Sequence, residues 1–272
     1  MTEKARQYKR STVRRLDTLS GNQCAWPGCL KKLIAEDEKS IISKICHIEA
    51  ASIDGPRYNL KMADDDRRHF NNLILLCDEH HTIIDNKENQ KNYPVELLKK
   101  WKRNHESKLL HRTLQNRPTL LSVAINAISD INFDDENDEK DSKPFNIDKK
   151  ISFNAIKRNK VLIDEYKIYY SQLNTLYAEL ETAGSFRKEK LLRNINRIYL
   201  KIKGLYVKDS AEPMKIIQQN ADSIIEDIED ELLEMIEENS KHYEDDITFG
   251  ISVIMVDAFM RCKILEEPEK CL

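Results

Sequence analysis

The 272-residue chain has no apolar run that approaches the roughly 20 residues of a membrane-spanning helix. Its polar, basic N-terminal stretch carries no signal-peptide pattern, and no internal repeat is visible. A spanning segment and a secretory leader are therefore not expected. A disulfide framework is not expected either. Of the six cysteines, Cys24, Cys29 and Cys77 precede residue 81 in the company of His80, which favours a metal over disulfides. Cys46, Cys262 and Cys271 then remain as free thiols, and the whole usage fits a reducing cytoplasm. Charged residues make up 33% and hydrophobic residues 40%, ordinary values for a soluble helical protein, and the length suits two modest domains.

Charge is unevenly divided. Residues 1–112 hold 22 Lys and Arg against 16 Asp and Glu, a net +6, whereas the rest holds 22 against 31, a net −9. The basic half suits a phosphate backbone. The acidic half suits a protein partner.

The densest chemistry lies in Asn71–Asp85, NNLILLCDEHHTIID. Leu73, Ile74, Leu75 and Leu76 read as a short buried strand. Cys77 and His80 have the C-x2-H spacing of half a zinc site, and Cys24 and Cys29, spaced C-x4-C around Pro27-Gly28, supply the other half. A Cys3His set is a closed tetrahedron with no open position, so such a zinc is structural. His81 and Asp85 lie four apart, so on a helix they share one face and can hold one ion; the alternative for Asp85 is to orient an imidazole or stabilise a turn.

Taken together, Cys24…Cys29…His47…Asn72…Cys77-x-x-His80-His81…Asp85, with HIEAAS and GPRY between, resembles an HNH endonuclease with a structural zinc, over about residues 10–110. The resemblance implies a ββα-metal nuclease fold and hydrolysis of phosphodiester bonds in double-stranded DNA. It makes His47 the general base, Asn72 the residue that fixes the active-site loop, and His81, with Asp85, the holder of a catalytic Mg2+, Mn2+ or Ni2+. Many members place a metal-binding residue just before the base. This chain has Cys46 there, a soft donor ill suited to a hard ion.

Arg57, Arg67 and Arg68 are candidates for phosphate contacts, with ordinary loop charges as the alternative. Residues 3–19 read as a basic helix, either packed on the zinc module or touching DNA, and Asp78 reads as a cap for the helix that carries His80. Lys99, Lys100, Lys102 and Arg103 read as the outer side of a helix that starts after Pro94. Residues 130–143 are strongly acidic, as in a linker, while 120–128 fit a helix or a strand equally. Helices are expected at about 159–182, 187–203 and 220–239 and from 246 on, with stripes that mean packing.

The ending, DDITFGISVIMVDAFMRCKILEEP, resembles the C-terminal helical module of effectors in bacterial ABC three-component systems, over about 150–272. That resemblance implies an SMC-like ABC ATPase and a small middle protein as partners, in anti-phage or anti-plasmid defence. The expected organisation is α+β. A zinc-stabilised HNH domain spans 1–115, an acidic linker region 116–147, and an all-α docking or homo-oligomerising domain 148–272. Two other readings of function stand beside it: a stand-alone HNH restriction or modification-dependent enzyme, and a non-catalytic zinc-stabilised DNA-binding adaptor.

Overall fold

Leu73–Cys77 is apolar through its length, and as strand β2 it is buried at every position. Among the described residues its sheet partner is β1, Ser43–His47, antiparallel and in a register that sets Ser43 opposite Cys77 and His47 opposite Leu73. The chain was computed as a structural model that describes residues 3–35, 41–116, 119–131, 133, 146–239 and 244–268. It divides into two units, 1–117 and 118–272.

In the first unit, helix α1 spans Arg10–Ser20 and ends at Gly21, which is left-handed at φ 56°. A Cβ at Gly21 would also lie 2.9 Å from the Leu109 methyl carbons, so conformation and space both demand glycine there. The expected helix over 3–19 is interrupted: Glu3–Arg6 is a single 3-10 turn, and the helix proper starts at Arg10. Short α2, Asp64–Arg67, lies in the connection between the strands. Helix α3, Asp78–Asp85, follows β2 without a break. Cys77, not Asp78, holds the extended cap position, and Asp78 sits in the first turn, where its carboxylate complements the helix dipole. Helix α4 spans Val95–Asn116. Lys102 is not on its outer side: it is buried, with its ammonium 3.4 Å from the Phe70 ring centroid and paired with Glu106. The core gathers Cys24, Leu33, Cys46, Ile48, β2, Ile84 and Leu98.

The second unit is helical: α5 Thr119–Ser129, α6 Ile147–Phe153, α7 Lys160–Tyr166, α8 Tyr170–Thr182, α9 Arg187–Val207, α10 Pro213–Asn239 and α11 Glu244–Met260. The expected helix over 159–182 is split by a 3-10 turn at Lys167–Tyr169. Residues 120–128 are helical, and α5 packs on α9 and α11 inside this unit. The stretch 116–147, expected as a linker, therefore contributes part of the helical core. Most of its acidic run lies outside the described residues, as does Cys271.

Interior polar groups in this unit are spent on helix ends. Lys150, fully buried, donates to the carbonyls of Phe259 at 2.6 Å and Ile264 at 2.8 Å, where α11 ends. Burial pushes its ammonium pKa down to about 8. Asn194 donates to Ile128 and Ile131 at the end of α5. Asp222 accepts from the backbone of Lys157 and Asn159 and so holds the turn that leads into α7. No helix among the described residues is long and apolar enough to cross a membrane.

Candidate functional site

Cys24, Cys29, Cys77 and His80 converge although more than 40 residues separate the two pairs in sequence. Their ligand atoms all lie within 4.8 Å of one another. His80 Nδ1 is 3.2 Å from the Cys77 sulfur and 3.4 Å from the Cys24 sulfur. The edges of a tetrahedral zinc site with these donors are about 3.5–3.8 Å, so the set fits a structural metal such as zinc. β2 delivers Cys77 at its last position, and the first turn of α3 delivers His80. The knuckle is closed by Cys29 N–H donating to the Trp26 carbonyl at 3.0 Å. Trp26 stacks flat on the His80 ring, with centroids 4.1 Å apart and planes 7° apart, and so fixes the plane of the imidazole. Burial pushes the Cys24 thiol up to about 12. A bound divalent cation supplies the opposing charge that makes a buried thiolate affordable.

His47 ends β1. Its Nε2 lies 3.1 Å from the Ala5 carbonyl oxygen, which only accepts, so Nε2 carries the hydrogen and the neutral ring keeps its lone pair on Nδ1. Burial lowers its pKa from the usual 6.5; the Ala5 bond partly offsets this and the Arg6 charge adds to it. Cys46, the preceding residue, points to the other side of the strand into the core, donates to the Lys44 carbonyl, and has its pKa pushed well up by burial.

On α3, His81 Nε2 and Asp85 Oδ2 are 3.1 Å apart, with the side chains 30% and 46% exposed. The i, i+4 pair is therefore open to solvent on one face. Helix α3 packs against β1, and through space the Asp85 carboxylate pulls upward on the pKa of His47, Tyr8, Cys46 and Arg57.

Asn72 is 3% exposed. Its Oδ1 accepts from Glu49 N–H, its Nδ2 donates to the carbonyls of Glu49 and Arg67, and its own carbonyl accepts from Ile48 N–H. It thereby fastens the residues just after His47 to the start of β2. Asn71 is only half-buried.

The three arginines are positioned as framework. Arg67, 2% exposed, donates to the carbonyls of Ala50, Asn59 and Met62 and lies over Tyr58. Burial therefore removes it from any phosphate. Arg57 donates to the carbonyls of Ile48 and Ile84, linking the residue after His47 to the residue before Asp85. Arg68 binds Asp65 and the Gln7 carbonyl.

Sequence reasoning missed Trp26, Glu49 and the segment Ala5–Tyr8. Trp26 carried a signal, an aromatic inside the knuckle. Glu49, which binds Lys99 and Asn59, and the Ala5 carbonyl carried none.

Fold and site define a two-unit protein: an α+β unit with a Cys3His cluster suited to a structural metal, and a unit whose described regular elements are helices. Residues 121–266 match the family described as C-terminal domain 10 of the ABC-three component (ABC-3C) systems, and the chain belongs to that family. The match starts within α5, well before the 150 expected from the sequence. Membership places the chain in a defence system and implies partnership with its other components. No curated protein and no solved structure matches the chain.

Proposed function

We propose that the chain is the nuclease effector of its ABC three-component system: a metal-dependent, HNH-type DNA endonuclease with a zinc-held ββα core, working with an SMC-like ABC ATPase and a small middle protein. The observation that carries this reading is that β1, which ends at His47, packs against α3, which carries the His81–Asp85 pair. A neutral imidazole with Nδ1 open, beside a half-exposed nitrogen–carboxylate pair, is what base-assisted hydrolysis needs.

In this reading His47 Nδ1 takes the proton of the attacking water. Its lowered pKa keeps it neutral at cellular pH. His81 and Asp85 would hold a divalent ion through one nitrogen and one oxygen, a donor pair that suits Mn2+ or Ni2+ and tolerates Mg2+. Bound there, the ion would polarise the phosphate and stabilise the leaving oxygen. Asn72 keeps the strand ends together, so it positions and does not touch substrate. Exposed Lys100 and Arg103 on α4 take over the phosphate contacts first assigned to Arg57 and Arg67. Family membership favours this system effector over a stand-alone restriction enzyme.

The test is nicking of plasmid DNA by the full chain with Mg2+, Mn2+ or Ni2+, alone and with the partner ATPase. His47→Ala is expected to lose on the order of 10²–10⁴-fold in rate with DNA affinity nearly unchanged. Normal cutting by folded His47→Ala protein refutes the site. Tight DNA binding with no cutting under any condition returns the adaptor reading.

A further inference from the structure

The segment Lys4–Tyr8 is held against the first unit by contacts that its sequence does not advertise. Ala5 is 0% exposed. Lys4 Nζ is 3.0 Å from Asp65 Oδ2 on α2. Arg68 Nη1 donates to the Gln7 carbonyl at 3.0 Å, while the same guanidinium binds Asp65 at 2.7 and 2.9 Å. Asp65 is thus the common anchor of two side chains that grip the segment from both ends. The product of this docking falls on His47. The Ala5 carbonyl takes its Nε2–H, and the Tyr8 ring lies against the imidazole at 5.7 Å between centroids.

We propose that Lys4–Tyr8 is a positioning strap for His47, with Tyr8 and the Asp65 anchor as its determining residues. This rests on the reading of His47 as the base. A strand-end histidine has two free torsions, so its ring can swing. The carbonyl on the Nε2 edge and the phenol ring tilted 38° against the imidazole restrict both torsions and leave Nδ1 on the edge away from the Ala5 carbonyl. An imidazole free to rotate would present Nδ1 there only part of the time, and misplacement by about 1 Å costs on the order of 10²-fold in rate. The strap also explains why the chain stops being helical between Arg6 and Arg10. A continuous helix would take the Ala5 carbonyl into its own hydrogen-bond ladder. Tyr8 is half-buried, and this burial pushes its pKa up to about 12, so it stays neutral beside the base.

The experiment reads the Nε2–H proton of His47 directly. A hydrogen-bonded, covered imidazole N–H exchanges slowly enough to give a resolved proton resonance, assigned by its loss in His47→Gln. It should be present in the full wild-type chain and absent in both Tyr8→Ala and Asp65→Ala, each checked for an intact thermal transition. Tyr8→Phe keeps the ring and should keep the resonance. In the plasmid assay Tyr8→Ala and Asp65→Ala should each slow cutting about tenfold or more, with Tyr8→Phe near wild type. Persistence of the resonance in folded Tyr8→Ala and Asp65→Ala overturns the strap. So does its loss with cutting unchanged. Should the wild type fail to cut at all, the nuclease reading falls, and the resonance alone decides whether the strap holds His47.

Discussion

At the scale of single residues, the site contrasts groups that could touch a ligand with groups that only hold the frame. His47, His81 and Asp85 retain open atoms; Asn72 and Arg67 have none left to offer. Arg67→Gln should therefore destabilise the first unit by about 2–3 kcal/mol, since it strips one buried and two part-buried carbonyls of their charged donor. Arg68→Gln should cost far less. A thermal or urea transition measures both, and an unchanged transition for Arg67→Gln combined with weaker DNA binding would reinstate it as a phosphate contact. The His47 pKa direction sets a second expectation. A base must be neutral, so the rate should fall as pH drops through the folded pKa, which burial has moved below 6.5. A pH–rate profile whose acid limb lies above 7 would point to another base.

At the scale of elements, two junctions decide stability. The first is the knuckle against β2 and α3. Cys24→Ser with Cys29→Ser, or removal of metal by a strong chelator, should unfold the first unit, because Cys24 and Cys77 sit inside its core and the cluster ties the knuckle to β2 and α3. Metal analysis should give one zinc per chain, and a folded, zinc-free double variant would end this assignment. The second is the crossing of α11 on α5. A Cβ at Gly250 would lie 2.2 Å from the Ala124 Cβ and 3.3 Å from the Leu120 carbonyl. Helix propensity favours Ala over Gly by about 1 kcal/mol, but forced separation of two packed helices costs about 1–3 kcal/mol, so Gly250→Ala should destabilise. Gly204→Ala on α9 meets nothing within 4 Å and should stabilise by about 0.5–1 kcal/mol. Calorimetry of the pair separates packing from propensity: a Gly250→Ala chain as stable as wild type or more so would contradict the close crossing.

At the scale of the whole molecule, the division at residue 117 coincides with a division of charge and of expected work. Residues 1–117 carry the cluster, the strands and the basic excess. The family domain lies entirely in the acidic helical unit. A chain cut to 1–117 should keep its metal and a salt-sensitive affinity for DNA, and should lose association with the other components of its system. Strong DNA binding by 118–272 alone, measured by the same titration, would reverse this assignment.

The sequence by itself determined the local facts: the metal-ligand spacing, the apolar strand at 73–77, the helical stripes and the split of charge. These are legible because each depends on residues a few positions apart and on a repeat of 2 or 3.6. The tertiary structure decided what each polar side chain is used for. Arg67 and Lys102 look like surface cations in sequence, and only the path of the chain around them shows that they are buried. Residues 120–128 had no periodic preference, and packing against α9 and α11 made them helical. The orientation of His47 hangs on a carbonyl 42 residues away, and a main-chain carbonyl leaves no mark in sequence, because every residue has one.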